Sequence, residues 1–149
     1  MRQFKKATNK HLGELLIERG VISKEQVAMA LAYQKERGGL LGEKLVELKF
    51  ATEEDIAQAL TAQYGFPYLP LSNYDIDLEV IETVPEHVCR QFCLIPIDKI
   101  GKSLTLAMAD PLNVQAIEDV ELSTGCSVQA FVSTATDIKG TITKYYKSK

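Results

Sequence analysis

The feature that most constrains this chain is a sentence written twice. Residues 11–34 read HLGELLIERGVISKEQVAMALAYQ and residues 40–63 read LLGEKLVELKFATEEDIAQALTAQ, at an offset of 29 with only KERGG between them. Ten positions are identical: Leu12/Leu41, Gly13/Gly42, Glu14/Glu43, Leu16/Leu45, Glu18/Glu47, Glu25/Glu54, Ala28/Ala57, Ala30/Ala59, Leu31/Leu60 and Gln34/Gln63. Ile17/Val46, Ser23/Thr52 and Val27/Ile56 are conservative. Helices this short are stable only when one face is buried against something else. The copies therefore need tertiary partners, and the question is what two copies do that one cannot.

Each copy resolves into two short helices. Leu12, Leu15, Leu16 and Arg19 follow helical spacing, and Gly20 is a left-handed stop. Ser23 then caps a second helix, Gln26 completes a capping box, and Val27, Ala28, Leu31 and Gln34 share a face. In the second copy Thr52 takes the capping place, with Asp55 near the positive helix end. Lys49 stands where the first copy has Gly20. That stop is either a left-handed lysine, at a cost of roughly 1 kcal/mol, or a differently shaped loop.

After Gln63 the character changes. YGFPYLPL, with two prolines and three aromatics, cannot continue a helix and reads as the joint between halves. DLEVIETV and PEHVCRQF follow as short helical segments, the second opened by Pro85 in its first turn. CLIPIDKIGKSLTLAMAD holds two apolar runs around KIGKS, a β-hairpin pattern. Val114, Ile117, Val120 and Glu121 recur at helical intervals up to Gly125, SVQAFVS is a third strand, and TATDIKGTITKYY closes as a helix with Ile138 and Ile142 inward. The expected fold class is α+β. A four-helix tandem repeat (two helical hairpins, 11–63) packs on a small C-terminal α/β sandwich (64–149) with a roughly three-stranded sheet; the halves share one core, and residues 1–10 form a flexible tail.

Composition excludes several functions. A net charge of −3 over 149 residues, with acids and bases interspersed, provides no basic field for nucleic acid. No apolar run approaches the ~18 residues that span a bilayer, and no apolar stretch follows the basic start as in a secretory leader, so a cytoplasmic location without membrane insertion is expected. There is no G-x-x-x-x-G-K-[ST] loop, no G-x-G-x-x-G and no G-x-S-x-G, and neither His11 nor His87 sits in a metal or nucleophile pattern. No catalytic constellation is present. Cys89, Cys93 and Cys126 form neither an even disulfide set nor a zinc pattern, and are expected as buried thiols.

Glycines and glutamines carry the functional information. Gly13 and Gly42, each read in the first turn of a helix, cost roughly 0.5–1 kcal/mol relative to alanine, so something requires the missing side chain. Either the copies pack closely there, or a ligand lies against exposed backbone. Gln34 and Gln63 close each copy at the end of an apolar face, as solvated helix ends or as amides suited to a base edge.

The doubled pattern, carried by HLGELLIERGVISKEQVAMALAYQ, KERGG and LLGEKLVELKFATEEDIAQALTAQ, resembles the N-terminal MshEN-type domain of type II secretion and type IV pilus assembly ATPases. VPEHVCRQFCLIPI, LTLAMADPLN, AIEDVELSTG and TDIKGTITKYY are similar to that family's α/β portion, so the resemblance runs from Leu12 to Tyr146. It implies a regulatory and docking domain. The ligand it implies is cyclic di-GMP, whose two guanines and two phosphates match a doubled motif. The alternative it implies is a nucleotide-free module that docks the ATPase onto the cytoplasmic domain of an inner-membrane platform protein, or contacts the ATPase's own catalytic domain. No metal is implied. Carried over residue by residue, the site comprises Leu12, Gly13, Leu16, Leu31 and Gln34 in the first copy and Leu41, Gly42, Leu45, Leu60 and Gln63 in the second. Val27 and Ile56 stand for leucine, and Glu43 falls where the family often places an acid. Asp110 of ADPLN matches an acid that reaches the nucleotide in ligand-binding members, and reads equally as a helix cap before Pro111. His11 occupies the place of the motif's leading arginine, with one donor and little charge above pH ~6.5.

Overall fold

A computed structural model of the chain describes residues 8–72 and 74–146, with side chains from Leu12 onward. The duplicated segment forms four helices: α1 (Thr8–Glu18), α2 (Lys24–Arg37), α3 (Leu41–Glu47) and α4 (Glu53–Tyr64). Thr8–Lys10 of the expected tail are thus helical, while residues 1–7 lie outside the described residues. α2 also takes in Lys35–Arg37 of the spacer before the chain turns at Gly38 and Gly39, both at positive φ.

The two copies use the same local chemistry. Ser23 Oγ accepts from the Gln26 N–H at 3.1 Å while Gln26 Oε1 accepts from the Ser23 N–H at 2.9 Å; Thr52 and Asp55 repeat the exchange at 3.0 and 3.1 Å. At the first stop, the Gly20 N–H donates to the Ile17 carbonyl and the Val21 N–H to the Leu16 carbonyl, both at 2.9 Å. At the second, Lys49 N–H to Val46 O (3.0 Å) and Phe50 N–H to Leu45 O (2.9 Å) are the equivalent bonds. This double closure needs a left-handed residue, and Lys49 supplies it at φ 65 where Gly20 has φ 76. Of the two readings of Lys49, the left-handed lysine is the one realised.

The second half runs α5 (Leu78–Ile81), α6 (Glu86–Phe92), β1 (Leu94–Ile100), β2 (Ser103–Met108), α7 (Val114–Thr124), β3 (Ser127–Val132) and α8 (Ala135–Tyr145). Pro85 stands one residue outside α6, as its N-cap. β1 and β2 form an antiparallel hairpin, and β3 joins β2 in parallel through the α7 crossover, giving the order β1-β2-β3. Tyr68 of the joint adds one parallel bridge to Val132 on the free edge of β3. α5, α6 and α8 pack on β1, α7 on β3, and α4 reaches β3 from the helical layer. No helix among the described residues is long and apolar enough to cross a membrane. Cys89, Cys93 and Cys126 are free and buried.

Buried apolar residues form two clusters. One joins Leu94, Ile95, Leu104, Leu106 and Met108 of the sheet to Ile138 and Ile142 of α8. The other joins Leu12, Leu16, Leu41, Leu45 and Leu60 of the repeat to Val132 of β3, so the sheet contributes to the helical core. Polar bonds cross the same seam: Glu53 accepts from the Thr136 N–H at 3.1 Å and the Thr136 hydroxyl at 2.7 Å, and Lys139 Nζ lies 3.1 Å from Glu43 Oε2. The copies are not equally covered. α4 buries Ile56, Ala57, Ala59 and Leu60, whereas α2 buries Ala30 and leaves Met29 exposed.

Because Lys49 holds a conformation that disfavours a Cβ, Lys49→Gly is expected to raise unfolding free energy by roughly 0.5–1 kcal/mol, and Gly20→Ala to lower it by about 1 kcal/mol. Urea unfolding of the two variants and the parent measures both; equal midpoints for Lys49→Gly and the parent would exclude the strain.

Candidate ligand-binding cleft

The seam between repeat and sheet opens into a cleft of about 170 Å³. Leu12, Leu40, Gly42, Glu43, Val46, Glu47, Glu53, Ile56 and Ala57 line it from the repeat; Ala109, Asp110, Ser133, Ala135 and Lys139 line it from the α/β layer. It brings together Leu12, Gly42, Glu43, Ile56 and Asp110 of the residues singled out in the sequence. The others lie elsewhere. Leu16, Leu41, Leu45 and Leu60 are wholly buried in the helical core. Val27 and Leu31 are half-buried and pack against it. Gln34 spends its amide on the chain itself, Nε2 donating to the Gly39 carbonyl at 2.9 Å across the spacer turn, and Gln63 is exposed. His11 lies outside the described side chains.

The two glycines answer differently. Gly42 is in the first turn of α3, but α1 begins at Thr8, so Gly13 is not in the first turn of its helix. A Cβ on Gly13 would come within 3.2 Å of Val27 Cγ1 and 3.8 Å of Leu41 Cδ2, so Gly13 is a close-packing glycine. A Cβ on Gly42 would meet Leu12 Cδ2 at 3.5 Å and Ile56 Cδ1 at 3.7 Å, ordinary contact, and its residue lines the cleft. Each glycine thus faces the leucine that opens the other copy's motif. Close packing thus accounts for Gly13, while Gly42 lies at the wall of the cleft.

The cleft is rich in carboxylates, each engaged. Glu43 Oε1 accepts from the Leu40 N–H at 3.3 Å as the reciprocal cap of α3, and its Oε2 faces Lys139. Glu47 is held by the buried Lys44 Nζ at 3.2 and 3.3 Å, and Glu53 by Thr136. Asp110 is not the cap of α7, since Asn113 Oδ1 does that by accepting from the Ala116 N–H at 3.2 Å. Asp110 makes a tighter turn just before it, Oδ1 accepting from the Leu112 N–H at 3.0 Å. Burial pushes the Asp110 carboxyl up to about 7, with the Leu112 bond pulling the other way. Among the described residues no cluster of His, Cys, Asp and Glu is arranged to hold a metal ion.

Several cleft residues escaped the sequence reading, Leu40 among them. The offset of 29 already sets Leu40 opposite His11, so neither copy opens on arginine; Leu40 lines the cleft and packs on the α/β core. Lys139, Ser133 and Ala135 carry no repeat or motif and are brought in by the fold alone.

The chain is thus a small α+β domain, a duplicated helical layer docked on a three-stranded α/β layer with a cleft along the joint. The MshEN domain family matches residues 64–149, more than half of the chain, and the chain belongs to that family. It is 33% identical over 138 residues to the type IV pilus assembly ATPase PilB of Myxococcus xanthus (strain DK1622), covering 93% of this chain and 24% of that protein. It is 34% identical over 140 residues to the PilB of Thermus thermophilus, covering 93% of this chain and 16% of that one. The chain therefore spans a quarter or less of these relatives. Among solved structures, MshE with cdg superimposes with a TM-score of 0.67 at 29% identity, covering 91% of this chain and 98% of that one. The N-terminal domain of XpsE gives 0.75 at 24% identity over 97% and 98%, a likeness in fold.

The raised pKa of Asp110 makes stability depend on pH. Its folded value of about 7 exceeds the 3.8 of the free group, so the folded state holds the extra proton between those values. Stability is then full below pH ~4 and falls as pH rises through ~7, by an amount on the order of 4 kcal/mol. Asp110→Asn keeps an acceptor for Leu112 and removes the titration. Its unfolding free energy, relative to the parent's, is expected to rise between about pH 4.5 and pH 8; a difference flat in pH would show that Asp110 ionises freely.

Proposed function

We propose that this chain is a cytoplasmic regulatory domain of a type IV pilus or type II secretion ATPase that binds cyclic di-GMP in the cleft beside Gly42. The observation that carries this reading is the asymmetry of the glycines: Gly13 is packed shut, whereas Gly42 opens backbone to a cleft that also holds a buried carboxylate, Asp110. Guanine presents N1–H and N2–H donors side by side, and a carboxylate accepts both. Adenine lacks that pair of donors, so the site favours the guanine form. Val46 and the edge of Ile56 offer apolar surface to rings and sugars, backed by the buried Leu12. The 29% identical MshE, solved with cdg, supports the same reading. Binding would then be read out through docking of the domain on the cytoplasmic part of an inner-membrane platform protein, or on the ATPase's own catalytic domain, which would carry the enzymatic activity this chain's sequence lacks.

Calorimetric titration tests this. Cyclic di-GMP is expected to bind the parent and cyclic di-AMP to bind at least ~10-fold more weakly, the discrimination that an unpaired buried acceptor imposes. Gly42→Ala, whose added Cβ makes only ordinary contact with Leu12 and Ile56, is expected to weaken binding with the fold retained, because its methyl narrows the cleft. His11→Arg, which restores a permanent planar donor, is expected to tighten binding by on the order of 1–2 kcal/mol. No heat from either the parent or His11→Arg at millimolar ligand would leave the docking module, free of nucleotide, as the function.

A further inference from the structure

A cyclic dinucleotide brings two phosphodiester anions, and the cleft offers them little. Neither copy of the motif opens on arginine, since the positions hold His11 and Leu40. Among the described residues that line the cleft, Lys139 is the only cation, against Glu43, Glu47, Glu53 and Asp110. Lys44 is close by but buried at 8% exposure and bound through two contacts to Glu47, with its ammonium 5.5 Å from the centre of the Tyr33 ring. Lys139 differs. Its side chain is 57% exposed, on the second turn of α8, and its one ion pair is with Glu43 Oε2 at 3.1 Å.

We propose that Lys139 is the phosphate-reading residue of this cleft, held in place by Glu43 until a ligand phosphate takes the ammonium from it. This deepens the nucleotide reading above and rests on it. Glu43 suits the holding role because its other oxygen is fixed by the Leu40 N–H, so the carboxylate is aimed across the seam rather than free to swing. Partial burial pulls the Lys139 ammonium down, but the hydrogen bond and charge of Glu43 outweigh it and hold its pKa above the ordinary lysine value. Glu43 therefore keeps the cation ready while competing for it. Removing the competitor and removing the cation should act in opposite directions, which a merely structural ion pair would not do. The conservative change Glu43→Gln is available without loss of the helix cap, since Gln26 performs the same reciprocal cap on Ser23 in α2.

The test is titration of cyclic di-GMP into the parent, Lys139→Ala, Lys139→Arg and Glu43→Gln, each at about 50 mM and about 500 mM NaCl, ionic strengths between which exposed charge pairs become largely screened. Lys139→Ala is expected to lose about tenfold in affinity at low salt and most of the salt dependence with it, in line with the loss of one charge-assisted hydrogen bond. Lys139→Arg is expected to keep both, and Glu43→Gln to bind several-fold more tightly than the parent. Equal losses for Lys139→Ala at both salts, unchanged affinity in Lys139→Ala, or weaker binding in Glu43→Gln would each overturn the assignment while leaving nucleotide binding standing. A parent that gives no response would overturn the nucleotide reading and this assignment together.

Discussion

The structure depends on one reciprocal contact. Leu12 lies over Gly42 and Leu41 over Gly13, so each copy's leading leucine is received where the other copy has no side chain. Both leucines are completely buried. A larger residue at Gly13 would meet Val27 of the same copy at once, so α1 and α2 could not pack as closely as they do. The contact accounts for the duplication: a leucine needs a glycine opposite, a glycine needs a leucine, and two copies related by a rough twofold satisfy each other. Dispersion and apolar burial then follow over the remaining leucines of α1 and α3.

The twofold ends where the α/β layer begins. The polar bonds of the repeat to α8, and the packing of α4 on β3, come from the second copy. Glu43 and Glu53 make its polar seam with Lys139 and Thr136. Their counterparts in the first copy, Glu14 and Lys24, are exposed, and Lys24 has the opposite charge. The repeat is thus symmetric in its interior and asymmetric at its surface. The cleft arises from that asymmetry, because it lies where one copy's helices and the sheet's helix nearly touch.

The Glu43–Lys139 ion pair of the seam sits in a partly screened setting, so its contribution to stability is modest, and its importance lies in what it positions. Glu43 joins the spacer turn, α3 and α8 through a single carboxylate. Asp110 is placed by the tight turn that leads into α7, and its burial costs enough to shift its ionisation. A site of this kind is built from backbone geometry first and charge second.

The sequence by itself determined the repeat, the helices and their caps, the hairpin, the third strand and the α+β class. These follow from local rules: Ser23, Thr52, Gln26 and Asp55 cap wherever a helix starts, and apolar spacing shows which faces seek burial. The tertiary structure alone decided which copy is covered. Ala28 and Ala57 are the same residue at the same motif position, yet Ala28 is exposed and Ala57 buried. Gly13 and Gly42 are likewise identical in the sequence and different in the fold. Gln34, read as half of a matched pair, is tied to its own spacer turn, whereas Gln63 is exposed. Lys139 has no mark in the sequence, since its role comes from α8 lying across α3. A repeat states what each copy is; only the partner it packs against, absent from the local pattern, sets what each copy faces.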